Sequence, residues 1–424
     1  MTASITVLDA LEILDSRGNP TLRVMIKLAD GTEAFADVPS GASTGQFEAH
    51  ELRDGGTRFK GKSVSRAAAN VREVIGPALL GHNPVRQVEI DHLMIELDGT
   101  ENKSKLGANA MVGVSMAIAR VAAQALGMPL YKYLGGTSAR RLPVPMMNII
   151  NGGKHAGNRL EFQEFMIVPR GAFNFTEAVR YAAETYQSLK SLLSKKALST
   201  GVGDEGGFAP ELESNDQACE LIVEAIRDAG YEPGRDIAIA LDPAATSFHE
   251  AGRYGVGKDK KTNDQMVELY AGWTSRFPII SIEDGVAEDD WEGYRKLTDR
   301  LGDHIQMVGD DNYVTNRKFI QRGISEGSTN AVLIKLNQIG TVTETVEAIE
   351  LCRKAGWGTV ISHRSGETAD TFIADFAVAM GGGQIKTGAP CRGERVAKYN
   401  RLLHIEHELG SQAEFTDPYS SSKA

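Results

Sequence analysis

Short apolar runs that contain a charged residue near their end recur through the second half of the chain. Six of them are IAIALD, IISIED, QMVGDD, AVLIKLN, TVISHR and GQIKTG. Their charged residues follow one another at intervals of 41, 27, 25, 28 and 23 residues: Asp242, Glu283, Asp310, Lys335, His363 and Lys386. All intervals but the first are near the length of one strand-and-helix unit, so the spacing predicts parallel strands joined by helices. In a β/α barrel the carboxyl ends of such strands point into one mouth, where we expect these side chains to meet.

The segments between these runs carry the signals of helix ends. SNDQACELIVEAIRDAG places Ser214 and Gln217 in capping-box spacing, and TVTETVEAIELCRKAG does the same with Thr341 and Glu344. Within AVLIKLN, the alternation of a strand predicts that the apolar neighbours of Lys335 pack outward while Lys335 faces the barrel interior.

The first third of the chain has a different pattern. Between residues 3 and 38, apolar and polar residues alternate in short runs that are separated by the turn sequences RGNP and ADGT. This pattern predicts a three-strand meander. From about residue 63 to 135 the pattern becomes helical, and YLGGTSARRLP then forms a joint. We therefore expect an α/β protein with a small N-terminal α+β domain, residues 1–138, followed by a β/α barrel, residues 139–424.

Composition argues against several kinds of partner. The chain has 424 residues and a formal net charge of −10, whereas nucleic acids and anionic membranes require a basic face. Its three cysteines are too scattered for a disulfide framework, and the N-terminus lacks a basic segment followed by an apolar one. We expect a cytoplasmic protein with no nucleic-acid and no membrane partner.

Three of the strand-end residues are carboxylates, and three convergent carboxylates repel one another unless a cation lies among them. Asp242, Glu283 and Asp310 offer the hard oxygen ligands that Mg²⁺ prefers. The remaining strand ends supply Lys335, Lys386 and the HRS sequence 363–365, which suit an anionic, phosphorylated, metal-chelating substrate. Salt bridges across the mouth are the structural alternative, but they leave the lysine in an apolar strand unexplained.

Three further polar segments are ambiguous from the residues alone. GVGDEGGFAP places Glu205 on a glycine-rich turn, as either a helix cap or a proton donor. NGGKHAGNRLEFQEF brings His155 near Glu164, although a lone histidine is more often structural. PSGASTG, with Ser43, is either a mobile lid that reaches phosphate or metal, or an ordinary loop.

Taken together, these motifs resemble those of the enolase family over nearly the whole chain. Matching stretches include ILDSRGNPT, VPSGASTG, NGGKHAGN, QEFMIVP, VGDEGGFAP, SIEDGVAEDDW, LIKLNQIGT, ISHRSGET and QIKTGAPCRGERVAKYN. The resemblance implies an α+β domain before a β/α barrel whose first strands depart from all-parallel order. It also implies a lyase that interconverts 2-phosphoglycerate and phosphoenolpyruvate, and a homodimer or larger homo-oligomer.

The resemblance implies a role for each matching position. Lys335 would take the C2 proton, and Glu205 would protonate the leaving C3 hydroxyl, with Glu164 and His155 assisting. A first Mg²⁺ would bind Asp242, Glu283 and Asp310, and a second would arrive with substrate near Ser43. The implied substrate-binding residues are Ser43, Gln163, His363, Arg364, Ser365 and Lys386, with Arg364 and Ser365 on the phosphate and Lys386 on the carboxylate.

A lysine that acts as a base must first be neutral. Burial beside Mg²⁺ and Lys386 would favour the neutral form of Lys335. Lowering its pKa by about three units from an ordinary value of about 10.4 costs roughly 4 kcal/mol. We therefore expect the pKa of Lys335 to be lowered.

Two places depart from the family pattern. Ser247 and His249 lie in an unusual segment after Asp242, and Asn312 and Tyr313 follow Asp310. They leave open an enolase paralogue of specialised phosphonate metabolism, such as a carboxyphosphonoenolpyruvate synthase acting on a related phosphoglycerate. A non-catalytic scaffold of the same fold is disfavoured, because every acid and base is present.

The stretch GTRFKGKS, from Gly56 to Ser63, satisfies the phosphate-loop pattern G-x-x-x-x-G-K-[ST]. The residues before it do not form an apolar strand, and the loop contains two basic residues and a phenylalanine. We interpret the match as chance.

If the match is chance, Lys62→Ala will leave turnover nearly unchanged, and neither the parent protein nor the variant will bind ATP. Isothermal titration calorimetry with ATP measures this directly. A micromolar affinity in the parent that Lys62→Ala removes would contradict the interpretation.

Overall fold

A three-stranded antiparallel sheet forms the first part of the molecule. It appears in a computed structural model that describes residues 3–41, 45–381 and 383–419. The strands are β1 (Ile5–Leu14), β2 (Pro20–Leu28) and β3 (Glu33–Asp37), in that order across the sheet. Residues of β1 pair with β2, and those of β2 with β3, as expected for a meander.

Helices cover one face of this sheet. They are α1 (Ser65–Asn70), a π-helical turn (Val71–Ile75), α2 (Gly76–Leu79), α3 (Gln87–Asp98), α4 (Ala108–Ala125) and α5 (Leu130–Gly135). Almost all of α4 is buried, and Gly113 on it permits close packing, since a Cβ there would lie 2.7 Å from Val24 and 2.9 Å from Val38. Across the described residues, no single helix is long and apolar enough to cross a membrane. Only the bent pair Ala108–Ala125 and Leu130–Ser138 together reaches that length and composition.

The rest of the described chain contains thirteen strands, eight of which close into a barrel. In chain order the strands are β4 (Arg141–Leu142), β5 (Val144–Asn151), β6 (Glu164–Val168), β7 (Ala238–Asp242), β8 (His249–Glu250), β9 (Arg253–Val256), β10 (Asp259–Lys261), β11 (Ile279–Glu283), β12 (Gln306–Gly309), β13 (Ala331–Ile334), β14 (Gly358–Ser362), β15 (Gln384–Lys386) and β16 (Glu414–Phe415). The barrel order is β11-β12-β13-β14-β15-β5-β6-β7.

One barrel strand runs against the others. Strand β6 is antiparallel to both of its neighbours, β5 and β7, whereas all other barrel pairs are parallel. The expected fold, including the departure of the first strands from all-parallel order, is therefore confirmed. The reversal brings the first residue of β6, Glu164, to the same mouth as the carboxyl ends of the parallel strands, where it pairs with Asp242.

Helices surround the barrel. They are α6 (Phe175–Lys195), α7 (Asn215–Asp228), α8 (Asn263–Arg276), α9 (Trp291–Leu301), α10 (Arg317–Glu326), α11 (Leu336–Ile339), α12 (Val342–Lys354), α13 (Phe372–Met380) and α14 (Gly393–Leu409). The predicted caps are confirmed: Ser214 accepts a hydrogen bond from the Gln217 amide, and Thr341 from that of Glu344. Such caps satisfy amides that have no partner within the helix.

Two separate apolar cores reflect the alternation along the strands. Leu333 and Ala240 belong to the core inside the barrel, whereas Val332, Ile334 and Ile239 pack in the layer between barrel and helices. The outward packing predicted for the neighbours of Lys335 is therefore confirmed. With the interior filled by side chains, only the mouth remains for a site.

The segment that departs from the family pattern forms a structure of its own. Strands β8, β9 and β10 make a small antiparallel sheet, in which His249 stacks on Tyr254 with ring centroids 4.5 Å apart. Tyr313 is buried, and its hydroxyl lies 2.9 Å from Thr329 Oγ1. These departures therefore pack against the scaffold.

The GTRFKGKS stretch also has a structural explanation. Lys62 Nζ donates to Asn19 Oδ1 at 3.1 Å, and Ser63 Oγ donates to Glu12 at 2.7 Å. Phe59 and Lys60 both have positive φ, and among the described residues no strand leads directly into the loop, since β3 ends at Asp37. The context of a phosphate loop is absent there.

The N-terminal part docks over the barrel mouth through residues 38–41 and 45–51. The backbones of Ser40 and Gly366 exchange two hydrogen bonds of 2.7 and 2.8 Å, and the Ala49 amide donates to Gln338 O at 2.8 Å. The mouth is therefore built from both parts of the chain.

Candidate active site

A cavity opens at the carboxyl ends of the barrel strands. The six regularly spaced residues lie at those ends: Asp242, Glu283 and Lys386 are the last residues of β7, β11 and β15, and Asp310, Lys335 and His363 directly follow β12, β13 and β14. All of these except Glu283 line the cavity, and the other predicted residues that line it are His155, Gln163, Glu164, Glu205, Arg364 and Ser365. Ser43 lies outside the described residues. The barrel register thus brings together the predicted residues that the structure describes.

Lys386 lies among three of the carboxylates. Its Nζ is 2.7 Å from Asp242, 2.9 Å from Glu283 and 3.2 Å from Glu164. Burial lowers the pKa of Lys386, but these negative charges outweigh it and raise the pKa well above its usual range. A charged lysine therefore neutralises part of the carboxylate cluster.

Lys335 forms an ion pair with Asp310, and its side chain is only 13% exposed. Burial lowers the pKa of Lys335, but the Asp310 carboxylate outweighs this effect, and the net shift is upward. The nearest charge to Lys335 here is a carboxylate, while Lys386 is held by other acids. The expected lowering of the pKa assumed a neighbouring Mg²⁺ and stays a prediction for the metal-bound site.

Glu164 and Glu205 lie together with His155. His155 Nδ1 is 3.7 Å from a carboxylate oxygen of each. Burial and the charge of Glu205 raise the pKa of Glu164 well above its usual range, and burial lowers that of His155. Two buried carboxylates this close cannot both be ionised without a large free-energy cost, so protonation of Glu164 is favoured over protonation of Glu205.

Glu205 lies against residues from two other elements. Asn148 on β5 donates to Glu205 Oε2 at 3.1 Å, and His363 Nε2 lies 3.3 Å from Oε1. Burial raises the pKa of Glu205, but the rings of His363 and His155 and the guanidinium of Arg395 outweigh it and lower the pKa. Burial lowers the pKa of His363 to about 4, so this ring is neutral at neutral pH.

Arg364 and Ser365 stand where the N-terminal segment meets the barrel. Arg364 donates to both carboxylate oxygens of Glu48 at 3.0 Å and to Asn337 Oδ1 at 3.0 Å. The fork geometry is the one that guanidinium uses for carboxylates and phosphates. The region around Arg364 therefore presents a built oxyanion-binding geometry.

The donor set fits a divalent cation. Asp242, Glu283 and Asp310 are all buried, and burial together with the charge of Asp242 raises the pKa of Glu283 well above its usual range. Such crowding of hard oxygen donors is relieved by a cation. Among the described residues, the ligand atoms of Asp310 lie within 4.8 Å of those of Asp284 and Asp311, whereas Asp242 and Glu283 form no such group with Asp310. Lys386 occupies the space between the other two predicted ligands.

Comparisons with known proteins agree with this geometry. The chain matches two family models, described as the enolase N-terminal domain over residues 5–134 and the enolase C-terminal TIM barrel domain over residues 139–423. The chain belongs to the enolase family. An Enolase 1 of Methylococcus capsulatus is 65% identical over 419 residues, 98% of this chain and 100% of that protein. An enolase of Desulfotalea psychrophila is 58% identical over 419 residues, 97% of this chain and 99% of that protein.

Membership in the enolase family fixes the class of reaction. Enolases are hydro-lyases that dehydrate 2-phosphoglycerate, a small phosphorylated carboxylate, to phosphoenolpyruvate. The reaction uses a divalent metal. Both relatives carry the enolase name over nearly their full length, and the comparisons do not support the alternative of a phosphonate-pathway paralogue.

Several residues of this enolase-family site were not predicted as site residues. Asn148 and Arg395 hold the Glu205 region, and Glu48 pairs with Arg364. Asp284 accepts hydrogen bonds from the amides of Asp310 and Asp311 at 2.9 and 3.0 Å. Asp284 could have been predicted, because it directly follows the predicted site residue Glu283. Asn148 lies inside an apolar strand and Glu48 in a loop, and neither position marks a site residue in the sequence.

Lys386→Met will remove the cation that balances three buried carboxylates. In EDTA, we expect a loss of about 3–5 kcal/mol in the free energy of unfolding, because breaking a buried ion pair leaves uncompensated charge. Urea denaturation followed by circular dichroism measures the loss. Lys27→Met is the matched control, since Lys27 is 48% exposed in a surface pair and its loss should cost less than about 1 kcal/mol. Equal stability of the two variants would contradict this account.

Proposed function

We propose that this chain interconverts 2-phosphoglycerate and phosphoenolpyruvate, with Lys335 as the C2 base and Glu205 as the acid at the C3 hydroxyl. The observation that carries the proposal is the barrel order. Strand β13, which precedes Lys335, lies diametrically opposite β6, which begins with Glu164 beside Glu205. A base and an acid on opposite sides of one cavity suit the removal of a proton from one carbon and a hydroxyl from the next.

Between these two sides the cavity carries both acidic and basic groups. The strands that end in Asp242, Glu283 and Asp310 are adjacent in the barrel, and β14 and β15 supply the other side. A divalent cation held by those three carboxylates would supply positive charge to the substrate carboxylate as electron density builds up there. Arg364 and Ser365 would bind the phosphate, and Lys386, beside the acids, would bind the substrate carboxylate.

The base function of Lys335 depends on its ion pair. In the substrate-free protein Asp310 keeps Lys335 charged, so Asp310 must release this contact before Lys335 accepts the C2 proton. On the other side, the proton held on Glu164 is available to Glu205, because the two carboxylates are close neighbours. Asn148, His155 and His363 would orient this pair, and Gln163 would contact substrate from the cavity wall.

We also propose two Mg²⁺ ions per site, the second near Ser43 with the substrate, and a cytoplasmic location. A division into residues 1–138 and 139–424 agrees with the change in architecture at the joint. A homodimer or larger homo-oligomer is supported by the outer face of the N-terminal sheet, where Val7, Leu11 and Phe35 are 46%, 41% and 45% exposed. Apolar residues grouped on a surface favour an interface.

Asp310→Asn removes one charge from the proposed metal ligands and the partner of Lys335. We expect weaker Mg²⁺ binding by isothermal titration calorimetry and loss of phosphoenolpyruvate formation, with the circular dichroism spectrum unchanged. Asp303→Asn, at an exposed turn, is the control and should retain both Mg²⁺ binding and phosphoenolpyruvate formation. Full activity of the parent protein in excess EDTA would contradict the metal requirement.

The two proton transfers can be separated by removing each group in turn. Lys335→Ala should lose both dehydration and exchange of the C2 hydrogen with solvent. Glu205→Gln should retain C2 exchange, because Lys335 still removes that proton, yet lose phosphoenolpyruvate formation by at least about 10²-fold. NMR of 2-phosphoglycerate in D₂O with Mg²⁺ measures both rates.

The outcome for Lys335 decides the assignment. If Lys335→Ala exchanges the C2 hydrogen at the parent rate, the base is another residue. If Glu205→Gln loses exchange and dehydration equally, Glu205 acts in the first step and not in the second.

A further inference from the structure

Arg395 is a fully buried arginine whose two Nη groups contact residues of the site. It lies in the first turn of α14 and its side chain is 0% exposed. Its Nη1 donates to His363 Nδ1 and to Arg364 O, both at 2.6 Å. Its Nη2 donates to Ser365 O at 2.6 Å and Asp204 O at 3.2 Å. One guanidinium therefore joins the segment after β14 to the turn that carries Glu205.

The contact with His363 determines where the ring carries its proton. A guanidinium has only donors, so the nitrogen that it contacts must accept. His363 Nδ1 is therefore unprotonated, and the neutral ring carries its hydrogen on Nε2. That nitrogen lies 3.3 Å from Glu205 Oε1. The hydrogen bond that Nδ1 accepts thus determines that Nε2 carries the proton on the side of Glu205.

We propose that Arg395 is a positioning residue that fixes the tautomer of His363, so that the Nε2 hydrogen faces the Glu205 carboxylate. Without Arg395, the ring could carry its proton on Nδ1 and turn a lone pair toward Glu205, which would repel the carboxylate. The effect on catalysis rests on the proposed role of Glu205, whereas the tautomer itself does not.

Packing holds the guanidinium in place. A Cβ on Gly388 would lie 2.9 Å from Arg395 Cδ, and Gly388 has a φ of +82° that favours glycine. Tyr399 donates to Gly388 O at 2.6 Å and so holds this turn against α14. The stem of Arg395 therefore has little room to move away from His363.

The same helix provides a matched control. Lys398 is also fully buried, and its Nζ contacts Glu367, Thr368 O and Glu394 O at 2.8, 2.6 and 2.7 Å. None of these contacts reaches His363. Loss of Lys398 thus removes a buried cation from α14 without removing the donor to the ring.

The experiment is ¹⁵N NMR of the histidine rings in the full-length protein, with the His363 signals assigned by their absence in His363→Gln. In the parent protein at neutral pH, we expect Nε2 to be protonated and Nδ1 to be unprotonated. Arg395→Met should give a mixture of tautomers, Arg395→Lys should restore part of the parent pattern through its one ammonium donor, and Lys398→Met should keep the parent pattern. An Nδ1-protonated or doubly protonated ring in the parent protein overturns the proposal without any variant.

The catalytic consequence has its own readout. In D₂O with Mg²⁺, Arg395→Met should lose phosphoenolpyruvate formation by at least about 10²-fold while retaining C2 exchange, as expected for a fault on the acid side. Equal loss of both rates, or a parent tautomer pattern in Arg395→Met, overturns the proposal. If the parent protein shows the expected tautomer but no turnover of 2-phosphoglycerate, the proposed function fails and the positioning of His363 stands.

Discussion

The structure of the site depends on charge balance among groups that are out of water. Three carboxylates surround the ammonium of Lys386, and Asp310 holds that of Lys335. The free-energy cost of burying each charge is offset only because an opposite charge lies within contact distance. A charged ligand that enters this site must exchange one set of ion pairs for another. Binding and proton transfer are therefore coupled from the outset.

The position of most site residues followed from sequence, because strand ends recur at regular intervals and a barrel collects strand ends at one mouth. Period-two alternation likewise predicted which residues of AVLIKLN face the barrel interior and which pack toward the helices. The charge state of Lys335 did not follow, since it depends on which acid lies nearest in space. Asn148 and Arg395 were missed for a related reason: their partners lie 57 and 32 residues away, and no local pattern marks a residue that acts through a distant one.

The N-terminal part completes the mouth. Glu48 reaches Arg364 across 316 residues of sequence, and Arg17 donates to the carbonyl oxygens of Ser40 and Gly41 at 3.4 and 3.0 Å. The proposed phosphate-binding arginine is thus shared between the barrel and a loop outside it. Displacement of that loop would change the surroundings of Arg364 while leaving the barrel strands as they are.

The order in which the elements leave the ribosome has a consequence for when the site can form. Strand β15 closes the barrel against β5, pairing Gln384 with Val144, and Arg395 follows it in α14. Contacts between such distant parts of a chain form late, because the long loop between them must first be closed. A growing chain that already contains Lys335, Glu205 and all three acids still lacks the closing strand and the arginine that orients His363. Chemistry at this site therefore awaits the synthesis of nearly the whole chain, and nascent fragments have no means of acting on metabolites.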